Sequence, residues 1–232
     1  SDLIIFNSWA GQQHHIAHGY CGKRMAVVPN GINTERFRPD AESRQRVRTE
    51  WVITEDQVLI GLVARLDPMK DHPTFLRAAA RVAVLRPNVR FVCVGDGPQT
   101  YKRELWSLSE ALQLKERLIW AGSRTDIVAV YNALDIAVLS SYGEGFPNVV
   151  AEAMACGVPC VVTNVGAAAQ IVGPMGVVVQ PRDPEALCQG MLTSLCRLTE
   201  PGLSQQVRER IVQTFSRERL VCATKELLES LL

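Results

Sequence analysis

The stretch that decides the fold runs from residue 58 to residue 94 and reads VLIGLVARLDPMKDHPTFLRAAARVAVLRPNVRFVCV. Its first seven residues, Val58–Ala64, are apolar or small and predict a strand that is buried on both faces. In Asp71–Leu85 apolar side chains recur every three or four residues, which predicts a helix with one buried face. Val89–Val94 is a second apolar strand. The stretch is therefore a strand–helix–strand unit of the kind that builds parallel sheets.

The same alternation continues to about residue 179. Four further strands are predicted at Arg117–Trp120, Asp135–Leu139, Val158–Thr163 and Gly176–Val179. Helices between them are predicted at Tyr101–Leu112, at Ile127–Leu134 and from Pro147 onward. This rhythm predicts an α/β protein with a doubly wound parallel sheet of about six strands. From Asp183 onward the pattern is helical, with breaks near Pro201–Gly202 and Ser216.

The first forty residues do not follow this rhythm. Asp2–Asn7 predicts a buried strand, Ser8–His18 predicts a helix with Ser8 as its N-cap, and Pro29–Asn33 is a turn-rich connector. A lone strand and helix ahead of a complete sheet suggest the end of a preceding domain. We therefore expect residues 1–28 to be a remnant of that domain, 29–200 to form the sheet domain and 201–232 to form C-terminal helices.

The composition is that of an ordinary soluble globular protein. The 232 residues carry a formal net charge of +1, and 47% of them are hydrophobic and 21% charged. This balance gives no support for a nucleic-acid partner. No apolar run approaches the roughly 18 residues that a membrane-spanning helix needs, and no signal peptide is recognisable. These features predict a cytoplasmic protein.

Seven cysteines are scattered along the chain without the Cys-x-x-Cys spacing of metal sites. Cys156 and Cys160 straddle a predicted helix end and the next strand, and we expect both to be small buried residues. Unpaired thiols of this kind fit a reducing compartment. His14 and His18 lie four apart on a predicted helix but have no acidic partner close by in the sequence, so we expect no metal site.

Two glutamates eight residues apart lie in residues 141–152, which read SYGEGFPNVVAE. Glu144 falls in a Gly-flanked turn, Pro147 is predicted as the first residue of a helix, and Glu152 lies inside that helix. The free backbone N–H groups at Phe146, Asn148 and Val149 would make an anion site. Two carboxylates beside an anion make sense when the anion carries hydroxyl groups, as a nucleotide-sugar does. The alternative is two solvated glutamates, although the apolar helix and strand that follow favour a site.

Basic residues and glycines follow the other predicted strands. Arg65 and Lys70 come after the Val58 strand, where a guanidinium and an ammonium together suit a diphosphate; alone they would be two solvated bases. Gly95 would let a backbone approach a ligand, or simply forms a tight turn. Arg124 would contact a base or a phosphate, or is a surface arginine. All four lie at the carboxyl ends of strands, where open α/β sheets bind their ligands.

Together these motifs resemble the C-terminal, donor-binding half of GT-B fold glycosyltransferases of family 4, also called group 1. The resemblance covers nearly everything from Val27 to about Leu187 and includes a Rossmann-like sheet. Residues 1–20 resemble the last strand and helix of the N-terminal, acceptor-binding domain of that family. The matching runs are residues 27–33, 37–39, 64–72, 95–98, 141–152, 157–159 and 183–187.

The resemblance implies roles for most of the candidate residues. Arg65 and Lys70 would clamp the diphosphate of a nucleotide-sugar donor, and Glu144 would lie against the donor sugar. Glu152 would hydrogen-bond the ribose hydroxyls. Backbone N–H groups after Glu144 would help to hold the phosphates, which points to Gly145, Phe146, Asn148 and Val149.

The reaction implied is sugar transfer with retention of configuration to a saccharide or lipid-linked acceptor, without a metal cofactor, in polysaccharide or glycolipid synthesis. The full-length protein would be cytoplasmic, and a peripheral contact with the inner face of the membrane would be compatible with this. This chain alone is expected to be inactive, because most of the acceptor domain is missing. Two alternatives remain: a nucleotide-sugar-binding module without transfer activity, and a sugar-nucleotide epimerase of the same fold. Asn164 and Gln170 stand where the family often has Asp and Glu, which suggests a shifted donor preference.

Overall fold

The structure is a computed structural model that describes residues 3–20 and 24–230. In this part of the chain, strands β1 to β8 span Ile4–Phe6, Met25–Val27, Val58–Val63, Val89–Val94, Leu118–Gly122, Ile136–Leu139, Cys160–Thr163 and Val177–Val179. Helices α1 to α10 span Trp9–Ala17, Ala41–Glu50, His72–Leu85, Gln99–Ala111, Ile127–Ala133, Asn148–Ala155, Ala168–Val172, Pro184–Arg197, Leu203–Thr214 and Arg217–Glu229. Short 3-10 helices span Pro68–Lys70 and Gly173–Met175.

Six parallel strands form the main sheet, in the spatial order β5-β4-β3-β6-β7-β8. The chain moves outward from β3 to β5, then returns to the other side of β3 and moves outward again from β6 to β8. The direction of winding therefore reverses between β3 and β6, and a crevice opens at the carboxyl ends of these two strands. The predicted doubly wound α/β sheet is confirmed.

Both faces of the sheet are covered by helices. Neighbouring residues of β3, Leu59 and Ile60, point to opposite faces and belong to two separate apolar clusters. On one face, Ile60 and Phe91 pack with Phe75 of α3, whereas on the other Leu59 lies in the cluster that contains Met154 of α6. This double burial explains why the strands read as continuous apolar runs.

The N-terminal residues form a separate sheet of two parallel strands, β1 and β2. Helix α1 connects the two strands in the sequence. The predicted N-cap is confirmed, because the Ser8 side chain accepts a hydrogen bond from the Gly11 N–H at 3.1 Å. The short strand β2 was not predicted from the sequence. Asp2, the first residue of the strand predicted there, lies outside the described part of the chain.

The connector after β2 is fastened to the C-terminal helices. Ile32 forms an isolated bridge with Ser216: its N–H donates to the Phe215 carbonyl at 2.8 Å, and its own carbonyl accepts from the Arg217 N–H at 2.9 Å. Arg208 of α9 donates to the carbonyls of Phe37 and Thr34 at 2.8 and 2.9 Å. The breaks between α8, α9 and α10 fall where the sequence predicts them.

Other details of the helices also differ from the sequence prediction. Helix α6 begins at Asn148, so Pro147 is its N-cap and not its first helical residue. Helix α2 was not predicted, because its sequence AESRQRVRTE contains only two apolar residues, Ala41 and Val47, and has no helical apolar stripe. It is held instead by Arg48, which is 5% exposed and donates to the Asp135 carboxylate at 3.0 Å.

Cys156 and Cys160 are buried free thiols, as predicted. Burial raises the pKa of the Cys156 thiol to about 12, which keeps it protonated. No helix within residues 3–20 and 24–230 has the length and apolar character needed to cross a bilayer.

Candidate active site

The crevice between β3 and β6 holds an ion pair between two of the predicted residues. The Lys70 ammonium donates to Oε1 of Glu144 at 2.6 Å, and the Ser141 hydroxyl donates to the same oxygen at 2.7 Å. The side chains of Lys70 and Glu144 are 20% and 12% exposed. Such a short, partly buried contact between charged groups is a strong hydrogen bond. Lys70 and Glu144, 74 residues apart in sequence, thus meet as the parallel topology requires.

Hydrogen bonds join the loop after β6 to the 3-10 helix that carries Lys70. The Ser140 hydroxyl donates to the Lys70 carbonyl at 2.8 Å, and the Tyr142 N–H donates to the Met69 carbonyl at 3.1 Å. From β7, the buried Thr163 hydroxyl donates to the Ser141 carbonyl at 2.6 Å. These buried polar groups are satisfied by one another, so the position of the glutamate turn is fixed from two sides.

The loop after β7 packs directly against the backbone of the glutamate turn. Gly166 has φ +53°, and a Cβ there would lie 2.5 Å from the Glu144 carbonyl oxygen and 2.4 Å from that of Gly145. The Ala167 N–H donates to the Gly145 carbonyl at 2.8 Å. Both the conformation and the close approach require glycine at position 166.

The N-terminus of α6 opens next to this turn. Asn148 and Val149 are the first two residues of the helix, so their N–H groups have no partner within it. Phe146 anchors the approach to the helix, because its ring is 7% exposed and meets the Phe215 ring edge-on at 5.6 Å. The helix thus presents N–H groups without an intrahelical partner, and the positive end of its dipole, beside the Lys70–Glu144 pair.

Two residues that follow β1 and β2, Asn7 and Asn30, lie beside the glutamate turn and the start of α6. The Asn30 side-chain amide donates to Oδ1 of Asn148 at 3.0 Å. A Cβ on Gly145 would lie 3.3 Å from Oδ1 of Asn7, which follows β1. The ends of β1 and β2 therefore border the crevice, a feature that the sequence prediction did not include.

Glu152 lies on the inner side of α6 and is half-buried. Its Oε2 accepts a hydrogen bond from the buried Tyr131 hydroxyl at 2.8 Å. Burial raises the pKa of Glu152, while the Tyr131 hydrogen bond and the charge of Arg36 act in the opposite direction. Nothing in the sequence around Tyr131, within the apolar helix IVAVYNA, could have linked it to Glu152.

Arg65 is at the mouth of the crevice, two residues after the end of β3. Its side chain is 79% exposed, and the closest carboxylate recorded for it is that of Asp67, 3.9 Å away. A guanidinium in this position would lose only this weak contact with Asp67 when it binds an anion.

Gly95 and Arg124 have local partners. Gly95 has φ +141°, and a Cβ there would lie 1.9 Å from the Ala64 carbonyl oxygen, so glycine is required by the backbone crossing between the ends of β3 and β4. Arg124 donates to Asp126 at 2.9 Å and to Glu50 at 3.0 Å, and these carboxylates raise its pKa. The polar contacts recorded for Arg124 among the described residues join it to this cluster and not to Glu144, Lys70 or Glu152.

The two departures from the family pattern are both exposed. Asn164 follows β7 directly and precedes Gly166 by two residues, while its N–H donates to the Val179 carbonyl at 2.8 Å. Gln170 lies on α7, and its backbone carbonyl accepts from Arg210. Among residues 3–20 and 24–230, no three His, Cys, Asp or Glu side chains come together in a way that could hold a metal ion.

Comparison with known proteins points to one family. Residues 57–197 match the family model described as glycosyl transferases group 1. The D-inositol 3-phosphate glycosyltransferase of Mycobacterium marinum is 34% identical over 227 residues, which cover 93% of this chain and 47% of that protein. The UDP-Gal:alpha-D-GlcNAc-diphosphoundecaprenol alpha-1,3-galactosyltransferase of Escherichia coli is 28% identical over 88% of this chain and 54% of its own length. The chain spans about half the length of these curated relatives.

Solved structures agree with this assignment. HepE of Anabaena, in complex with UDP-glucose, superimposes with a TM-score of 0.88 and 26% identity over 100% of this chain and 64% of its own. A glycosyltransferase from Rickettsia africae has the same fold, with a TM-score of 0.88 and 20% identity over 99% of this chain and 63% of its own. The match over residues 57–197 and the relative that is 34% identical over 93% of this chain show the family, and the solved structures show the fold. The chain belongs to the group 1 glycosyl transferases and has the fold of the C-terminal half of a GT-B enzyme.

Proposed function

We propose that this chain binds a nucleotide-diphosphate sugar at the carboxyl ends of β3 and β6, as the donor-binding half of a retaining glycosyltransferase. The observation that carries the proposal is the Lys70–Glu144 pair at 2.6 Å, next to the unpaired N–H groups of α6. Cations and helix N-termini are suited to a diphosphate. The relative HepE, 26% identical, has been solved with UDP-glucose, which supports a donor of this class.

The proposal assigns one step to each of five groups: Arg65, Lys70, the α6 N–H groups, Glu144 and Glu152. Cleavage of the bond between sugar and phosphate builds negative charge on the leaving diphosphate, which Arg65, Lys70 and the α6 N–H groups stabilise. As Lys70 turns to the diphosphate, it releases Glu144, whose carboxylate then accepts hydrogen bonds from the sugar hydroxyls. Glu152, supported by Tyr131, accepts from the ribose hydroxyls.

The finer parts of the proposal come from the family resemblance. They are retention of configuration, a saccharide or lipid-linked acceptor, a role in polysaccharide or glycolipid synthesis, and a cytoplasmic site of action with peripheral contact to the membrane. We also propose residues 29–200 as the donor-binding domain, with residues 1–28 as a remnant of the acceptor domain and 201–232 as C-terminal helices. Transfer needs both domains, because the reacting atoms must be held together.

The first test is calorimetric titration of the chain with UDP, GDP and ADP. We expect one nucleotide to bind selectively, and Glu152→Ala to weaken that binding. The matched control is Glu110→Ala on the exposed side of α4, which leaves the affinity unchanged. A folded chain that binds none of the three contradicts the proposal of an autonomous donor domain.

Two assays separate the alternatives. A sugar-nucleotide epimerase converts or hydrolyses its donor without an acceptor, so donor consumption by the complete protein in the absence of acceptor would favour that function. A binding module leaves the donor intact even when the acceptor domain is present. Product formation that depends on an added acceptor is the result expected of a transferase.

A further inference from the structure

Arg182 and Tyr142 form a contact at the edge of the crevice that the proposed function does not use. The Arg182 guanidinium lies 4.2 Å from the centroid of the Tyr142 ring, within cation–π range. Tyr142 precedes Glu144 by two residues, and Arg182 follows the last residue of β8 by three. Both side chains are exposed, so the contact is no part of the apolar core.

The backbone at Arg182 has an unusual conformation. Its φ is +60°, in the left-handed region that residues other than glycine rarely adopt. The next residue, Asp183, caps α8 by accepting from the Ala186 N–H at 2.9 Å, and Pro184 follows it. The start of α8 thus fixes the direction in which the Arg182 side chain leaves the chain. Strained residues of this kind concentrate at functional sites.

Tyr142 is held on its other side by the 3-10 helix that carries Lys70. Its N–H donates to the Met69 carbonyl at 3.1 Å, and the neighbouring Gly143 lies against the Met69 sulfur, which a Cβ would meet at 3.4 Å. The start of the glutamate turn is therefore held between the Met69 backbone and the Arg182 guanidinium. Releasing the guanidinium would widen the range of positions that Glu144 takes relative to Lys70.

We propose that Arg182 is a positioning residue, which stacks on Tyr142 and holds the turn in the conformation that brings Glu144 to Lys70. An effect of Arg182 on catalysis rests on the proposed function, whereas its effect on the conformation of the turn does not. An exposed cation–π contact is weak, so the expected effect of losing it is about two- to fivefold.

The test is hydrogen–deuterium exchange of the peptide spanning residues 141–147 in wild type and Arg182→Gly. Glycine removes the guanidinium and suits the positive φ, so we expect faster exchange in this peptide by about two- to fivefold without a lower melting temperature. Arg182→Lys keeps a cation over the ring and is expected to restore part of the protection. The matched control is Gln113→Gly, which relieves a similar φ of +58° after α4 and leaves the exchange of residues 141–147 unchanged.

Unchanged exchange of this peptide in Arg182→Gly would overturn the proposal. So would a rise in exchange throughout the molecule together with a lower melting temperature, because Arg182 would then support overall stability. A titration of the same proteins with UDP, GDP and ADP separates the role of Arg182 in the turn from the proposed function. If wild type binds none of these nucleotides, the proposed function fails while the exchange result still decides the role of Arg182.

Discussion

At the scale of single residues, Lys70 and Glu144 neutralise each other in a partly buried pair, and we expect Lys70→Ala to act on both stability and turnover. It leaves the Glu144 charge poorly solvated, which should lower the free energy of unfolding by about 1–3 kcal/mol. Under the proposed function it also removes a donor to the leaving group, which should lower the turnover of the complete enzyme by about 10²- to 10³-fold. Denaturant unfolding and initial rates measure the two effects.

Arg65 provides the contrasting variant, because its side chain is 79% exposed. Arg65→Ala should lower turnover by a similar factor and change the stability by less than about 0.5 kcal/mol. Lys70→Ala combined with Glu144→Ala should regain stability but not turnover. A loss of turnover below tenfold in both single variants would contradict the assignment of these cations to the diphosphate.

Glu152 should make stability depend on pH. Its pKa is raised in the folded protein, chiefly by burial, so the carboxyl adds stability below its unfolded pKa near 4.5 and loses it as pH rises through the folded value. At neutral pH the buried charge is a cost that Glu152→Gln removes. We therefore expect Glu152→Gln to melt higher than wild type at pH 7, with a smaller difference at pH 4, and to bind nucleotide more weakly. An equal difference at both pH values would argue against the burial of this charge.

At the scale of elements, the loop after β7 is locked to the glutamate turn through Gly166. Gly166→Ala places a Cβ within 2.5 Å of two carbonyl oxygens and strains a residue of positive φ, so we expect a loss of about 1–3 kcal/mol. Because the turn must move, nucleotide affinity should fall as well. Gly202→Ala is the matched control: its φ is +76°, but its nearest contact is 3.7 Å away. Equal effects of both variants would mean that backbone strain alone, and not the turn, is disturbed.

Elements also mark the boundary of what the sequence could predict. The β3–α3–β4 unit was predictable because its strands are buried on both faces and therefore apolar throughout. Helix α2 was not predictable, because it is polar and is held by hydrogen bonds from Arg48 to the distant Asp135 carboxylate and Ala133 carbonyl. Such long-range polar contacts leave no periodic pattern in the sequence.

At the scale of the whole molecule, the meeting of Lys70 with Glu144 followed from topology, since neighbouring parallel strands end at one edge of the sheet. The engagement of Arg124 by Glu50 could not be foreseen, because Glu50 lies on the unpredicted α2. The partner of Glu152 was equally hidden, since Tyr131 reaches it from another helix. The sequence thus predicts where a site lies better than which side chains support it.

Under the proposed function, neither nucleotide binding by the whole chain nor turnover by the complete protein should need a divalent cation. The reason is that Arg65, Lys70 and the α6 donors would carry the charge of the diphosphate. We expect nucleotide affinity and acceptor-dependent turnover to be unchanged by a chelator such as EDTA, within about twofold. The measurement is a titration and a rate assay before and after dialysis against the chelator. Activity that disappears with the chelator and returns with Mg²⁺ would contradict this expectation.

The bridge between Ile32 and Ser216 has a consequence for the timing of synthesis. A chain leaves the ribosome from its N-terminus, and its early domains begin to fold while later residues are still being added. The partner of Ile32 follows the last strand of the main sheet in the sequence. The bridge at Ile32 must therefore stay open while the whole main sheet is synthesised, and it closes only when the start of the helix after Ser216 has emerged. A ribosome stalled before that helix should hold a finished sheet in which the backbone around Ile32 is still open to proteases.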